Sequence, residues 1–248
     1  MNARVETVHV HDTTGDLEVC RGGSDLVLLF DGHPCAIVWP ASDDQAEHFF
    51  VRAFDTAEIA ARVESSPLVR DGYNPSRGLV EQVRPLLQTM VDGRYRVELV
   101  APLGSDDDVA PSGSDAPLRT ARWLDWSGLH RVGSAEPLLL GSVPRERLDP
   151  ARLNRAMRGI RQGRRPVLVL LTVPDVDVTF IVLGHEAMEA CQRAGVAPLG
   201  LLITYETPRA LGFEDGLRLL QDAYRRCADL ASAHYASARG EAVIDRVS

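Results

Sequence analysis

The sequence predicts an α+β protein in two parts. Strand-length apolar runs separated by turn pairs crowd its first third. Helix patterns with clear start and stop residues alternate with strands after residue 137. Between them, GSDDDVAPSGSDAP (104–117) has no apolar period and reads as a linker. The expected organisation is a small mixed α/β domain over 1–103, the linker over 104–117, and a second domain over 118–248 that carries a long C-terminal helix.

The first part opens with strands at DLEVC (16–20), DLVLLFDG (25–32), CAIVWP (35–40) and HFFVRAF (48–54). Asp31-Gly32, before His33, reads as a hairpin turn. Asp55-Thr56-Ala57-Glu58 resembles a capping box and starts a helix. Ser76 starts a second, with Leu79, Val80, Val83, Leu86, Leu87 and Met90 on one face and Pro85 inside it. RYRVELVAPL (94–103) alternates and is expected to close this meander.

The second part begins with a strand at PLLLGSV (137–143). Asp149 and Pro150 supply the N-cap and first turn of a helix that Gly163 ends. Strands at 167–173 and 178–183 flank a turn at Pro174-Asp175. Gly184 opens a helix over 185–194, Gly195 ends it, and a strand follows at 199–204. A helix over about 213–237 completes the chain, with Leu217, Leu220, Tyr224, Cys227 and Ala231 on one stripe.

Composition excludes several chemistries. The net charge of −8 rules out a uniformly basic nucleic-acid coat. Lysine is absent, so all 27 basic residues are arginine. That removes Walker A, protein-kinase and Schiff-base lysines. Cys20, Cys35, Cys191 and Cys227 form no CxxC pair, which excludes a zinc ribbon or thioredoxin-like motif. The first residues lack a signal-peptide core, and the longest apolar runs are strand-sized. These features predict a soluble cytoplasmic protein with no membrane contact, and the arginine-only, alanine-rich usage suggests a GC-rich bacterial genome.

Residues 137–204 run strand, helix ending Ile160…Gly163…Pro166, hairpin, then Gly184 opening a helix that ends Ala194-Gly195. This order resembles the ParB/sulfiredoxin-like fold. In that family a strand ends at a glycine and turns directly into a helix N-terminus, whose N–H groups and dipole attract phosphate. A following arginine grips the phosphates. Here the motif reads Leu183-Gly184-His185-Glu186-Ala187, a degenerate Gly-His-Glu-Ala in place of Gly-x-x-Arg. Leu183 replaces the acidic residue of the free-serine kinase members, and Ala187 replaces the arginine. His185 occupies the position of the sulfiredoxin cysteine.

The resemblance implies an anionic ligand, such as a nucleotide with magnesium, at the Gly184 helix start. His185 and Glu186 would be the catalytic pair of a small-molecule kinase-like enzyme. Arg145, Arg147 and Arg165 would replace the missing clamp. A solvated glutamate that simply favours the helix dipole is the plainer reading of Glu186.

The alternative is a non-catalytic interaction module, a pseudoenzyme that works through a protein partner or homodimer. Its contacts would be Trp123, Trp126 and the 213–237 helix. Trp123, Trp126 and His130 equally suit a plug between the two parts. DNA binding, as in chromosome-partitioning relatives, ranks third, because no helix-turn-helix follows and the overall charge opposes it.

Arg145, Arg147, Arg152, Arg155, Arg158, Arg161, Arg164 and Arg165 face only Glu146 and Asp149, giving 145–165 a charge of +6. They suit an anionic partner or a solvated face. His9, His11 and Asp12 have strand spacing for a metal but no evident further ligand, so no metal site is assigned.

Overall fold

The computed structural model describes residues 4–22, 25–42, 45–52, 63, 68–69, 72–100, 129–133, 138–143, 147–176 and 178–226. The described residues form an α+β fold built on two six-stranded sheets. The mixed sheet holds β1 (Val5–Val10), β6 (Gly93–Val100), β8 (Leu138–Gly141), β9 (Val167–Thr172), β10 (Val178–Leu183) and β11 (Leu199–Tyr205). Their spatial order is β1-β6-β11-β9-β10-β8. The other sheet holds β2 (Leu17–Gly22), β3 (Asp25–Phe30), β4 (His33–Ser42), β5 (Gln45–Arg52), β7 (Leu129–Gly133) and β12 (Arg209–Ala210). Its order is β12-β2-β3-β4-β5-β7, an antiparallel meander with β12 added in parallel.

Strand pairing crosses the 104–117 segment in both sheets. The expectation that 94–103 closes the meander is corrected: β6 pairs with β1 on one side and β11 on the other. The meander is closed by β7, from beyond that segment. Arg209 of β12 clamps the opposite edge, donating to Glu18 Oε1 at 2.8 Å and Oε2 at 3.0 Å.

The hairpin expected at Asp31-Gly32 forms, with φ of +52° and +74° at the two turn residues. Helix α1 (Leu79–Leu87) buries Leu79, Val83, Leu86 and Leu87 and holds Pro85 within it. Its first turn is capped from another element: Val80 N–H donates to Glu6 Oε2 of β1 at 3.0 Å. Helix α2 (Pro150–Arg161) starts at Asp149, whose carboxylate accepts from Ala151 N–H at 2.8 Å. Helix α3 (His185–Ala194) runs between two left-handed glycines, Gly184 and Gly195. Helix α4 (Phe213–Arg226) packs on β4. The helix expected from Asp55 and the expected continuation of the last helix over 227–237 fall outside the described residues.

The mixed sheet is covered on both faces. Val169, Leu171, Phe180, Val182, Leu201 and Ile203 join one cluster with Leu26, Leu28 and Val38 of the meander and with α1. Leu168, Leu170, Ile181 and Leu139 face the other way, into a cluster with Met188 and Ala187 of α3. Double-sided burial explains why β9 and β10 read as nearly continuous apolar runs, with only Thr172 and Thr179 polar.

Candidate functional site

The chain turns from β10 into α3 at Gly184, which has φ +93°. A Cβ there would lie 2.9 Å from the Val167 carbonyl oxygen and 3.2 Å from Leu168 Cα. Both the backbone conformation and the close approach to β9 therefore demand glycine. The β9–β10 register shifts between Ile181 and Leu183, immediately before this turn. Such irregularities re-aim the residues that follow.

His185 is the first residue of α3, and the turn directs it inward. It is 3% exposed. Its Nε2 accepts N–H groups from Ser142 at 3.1 Å and Val143 at 3.2 Å, where β8 ends. Two donors at one ring nitrogen fix its lone pair there, which assigns a neutral imidazole with the proton on Nδ1. Ser142 Oγ also lies 3.2 Å from Nε2. Its proton goes to the Ile181 carbonyl at 2.6 Å, so this contact is no nucleophile–base pair. The expected general acid–base role thus meets a ring nitrogen already occupied by backbone.

Glu186 lies half-buried in the first turn of α3. Its Oε1 accepts from Asp149 N–H at 3.3 Å, the N-cap residue of α2. One carboxylate thus ties the starts of two helices together. Leu183 is 6% exposed and belongs to the main core. Ala187 packs against the cluster of Leu139, Leu168, Leu170 and Ile181. The two positions where a charged residue was expected are therefore packing positions. A charged side chain at either would have to leave an apolar cluster.

Arg147 is exposed two residues before the α2 N-cap, and Arg165 is exposed just before β9. Among the described residues, no hydrogen bond or ion pair joins Arg165 to Gly184, His185 or Glu186. Arg145, Trp123 and Trp126 lie outside the described residues. His130 is placed by its backbone alone, opposite Phe50 in the β5–β7 register.

The remaining candidates are tied into the fold. The rings of His9 and His11 stack, with centroids 4.2 Å apart, on exposed positions at and beyond the end of β1. Asp92 accepts from Thr13 Oγ1 at 2.7 Å, Thr13 N–H at 3.1 Å and Asp12 N–H at 3.3 Å. These bonds, the Thr13 hydroxyl first, hold the Asp92 carboxyl below its ordinary range. Among the described residues, no group of three or more His, Cys, Asp or Glu is arranged to hold a metal. His33 Nδ1 lies 3.7 Å from Asp222 of α4. Cys20 and Cys191 are buried, and burial pushes their thiols up to about 12 and about 11. Neither is an activated nucleophile.

Sequence reasoning missed the Ser142–Val143 backbone as the partner of His185. A signal was present. His185, Met188 and Glu189 stand at i, i+3 and i+4, the phase of a buried helix face. The described residues contain no helix long and apolar enough to cross a membrane.

No family model, curated protein or solved structure matches this chain.

Proposed function

We propose that this chain is a non-catalytic binding module built on a ParB/sulfiredoxin-like core, with its Gly184 corner kept as a structural joint. The succession β8, α2, β9, β10, α3, β11 supports the fold part of this reading. The observation that carries the functional part is the occupancy of the motif. The His185 ring nitrogen accepts two backbone protons, and the Glu186 carboxylate accepts the α2 N-cap N–H. An enzyme needs such groups directed at a ligand.

A second reading has one observation in its favour. Gly184 gives α3 no side-chain cap, so the first-turn N–H groups suit a small anion such as a nucleotide phosphate. Arg147 and Arg165 would then be its cationic partners. Magnesium chemistry fits this corner poorly, since Leu183 is core and Glu186 is engaged.

Thermal unfolding with ATP, ADP, CTP and GTP, each with and without magnesium, separates the two. A specific site at a hundredfold excess over Kd should add about 2.7 kcal/mol. The binding-module reading predicts no shift with any nucleotide. A shift abolished by Arg147→Ala or Arg165→Ala would establish the second reading instead.

A further inference from the structure

The outer face of α2 is basic and has no acidic partner among the described residues. Helix α2 buries no residue fully. Leu153, Ala156, Met157 and Ile160 form a half-buried stripe, and the helix packs on α3. The exposed positions are Pro150, Ala151, Asn154, Arg155, Arg158 and Arg161, continued by residues 162–165 with Arg164 and Arg165. On a helical wheel, 151, 154, 155, 158 and 161 fall within one arc centred near Arg158. That arc contains three arginines and no carboxylate.

Elsewhere, many of the described arginines lie against an acid. Arg4 meets Glu6, Arg94 meets Glu206, Arg193 meets Glu189, Arg209 meets Glu18 and Arg218 meets Asp215. At the start of α2 itself, Arg152 meets Asp149. Arg155, Arg158, Arg161 and Arg165 have no such partner among the described residues. In a chain where 35 acidic residues outnumber 27 basic ones, a helix face with no acid among the described residues is a distinct surface.

We infer that this face binds an acidic polypeptide segment of a partner protein. The inference rests on the binding-module reading and names its surface and its partner's chemistry. The arginines from 155 to 161 span roughly 9 Å along the axis, at 1.5 Å per residue. That reach suits a few carboxylates held by guanidinium forks. The arc has no aromatic side chain, so it offers no platform for stacking bases. The charge outside 145–165 is strongly negative, which opposes a long phosphate backbone continuing past the patch.

The test measures fluorescence anisotropy of a labelled twelve-residue polyglutamate peptide against the full chain. Parallel titrations use a 20-base-pair DNA duplex. The double variant Arg155→Glu/Arg158→Glu removes the patch. The double variant Arg94→Glu/Arg218→Glu changes net charge equally, at arginines that already have acidic partners. Circular dichroism confirms that each variant is folded. The inference expects salt-sensitive peptide binding, weakened at least tenfold by the first double variant and less than threefold by the second. Duplex binding should be weaker than peptide binding.

No peptide binding, equal loss in both variants, or tighter binding of duplex overturns the inference. Any of these results leaves the nucleotide panel unaffected. A nucleotide shift would overturn the underlying reading without moving the peptide titration.

Discussion

The Nε2 atom of His185 lies 3.1 Å from the backbone nitrogen of Ser142 and accepts its proton. With the Val143 N–H at 3.2 Å, this joins the first turn of α3 to the end of β8. Both donors are buried, with Ser142 0% and Val143 5% exposed. An unsatisfied buried donor costs about 1–3 kcal/mol. His185→Ala should therefore lower unfolding free energy by about 2–4 kcal/mol. His185→Gln, which keeps an acceptor, should lose less. Urea denaturation of both variants checks this; an alanine variant as stable as wild type would show that the ring is not a joint.

Gly184→Ala places a methyl group 2.9 Å from the Val167 oxygen at a φ of +93°. Strain of this kind costs about 1–3 kcal/mol. The variant should melt several degrees lower. Gly195→Ala makes a useful contrast. It shares the positive φ, at +63°, but a Cβ there meets nothing within 4 Å. Equal losses at the two sites would mean that φ alone matters and the approach to β9 does not.

Glu186 and Asp149 act in series at the start of α2, the first accepting the Asp149 N–H and the second the Ala151 N–H. Loss of a cap costs about 1 kcal/mol. Glu186→Gln should retain most of the stability, because an amide oxygen still accepts. Glu186→Ala should lose about 0.5–1 kcal/mol. Asp149→Ala removes its own cap on Ala151 but keeps the backbone N–H that Glu186 accepts, so its loss should add to that of Glu186→Ala. A Glu186→Ala variant as stable as wild type would mean that the bond does not tie the two helices.

Two carboxylates set an acid sensitivity. For Glu6, burial raises the pKa, but the Val80 and Leu79 N–H groups and Arg4 outweigh it and leave the carboxyl below its ordinary value. Asp92 is lowered by Thr13 and Asp12. A depressed folded-state pKa adds stability above the unfolded-state value, and that stability is lost as pH falls through the folded-state value. Stability should therefore decline as pH drops through and below the ordinary carboxylate range. Glu6→Gln and Asp92→Asn should each flatten the decline. Unchanged slopes in both variants would place the acid sensitivity elsewhere.

The elements from 138 to 205 were legible because local punctuation marks them. Asp149-Pro150, Gly163, Gly184 and Gly195 each impose a start or stop that tertiary packing leaves in place. Strand partners were not legible. The alternation in β6 marks a strand equally well beside the meander or beside β11, and only the assembled core decides. Strands β7 and β12 are short and carry no strong run of their own. At the motif, residue identity drew attention to His185 as chemistry. Its helix phase with Met188 already placed it on the buried side.

The state of one ring separates a structural joint from a working acid or base. Nitrogen-15 chemical shifts of the His185 imidazole, read at neutral pH with and without saturating ATP and magnesium, report it directly. The account predicts a neutral ring with Nδ1 protonated and Nε2 bare, unchanged by nucleotide. An Nε2-protonated or doubly protonated ring, or one whose shifts move with nucleotide, would contradict it and return His185 to the role of a working acid or base.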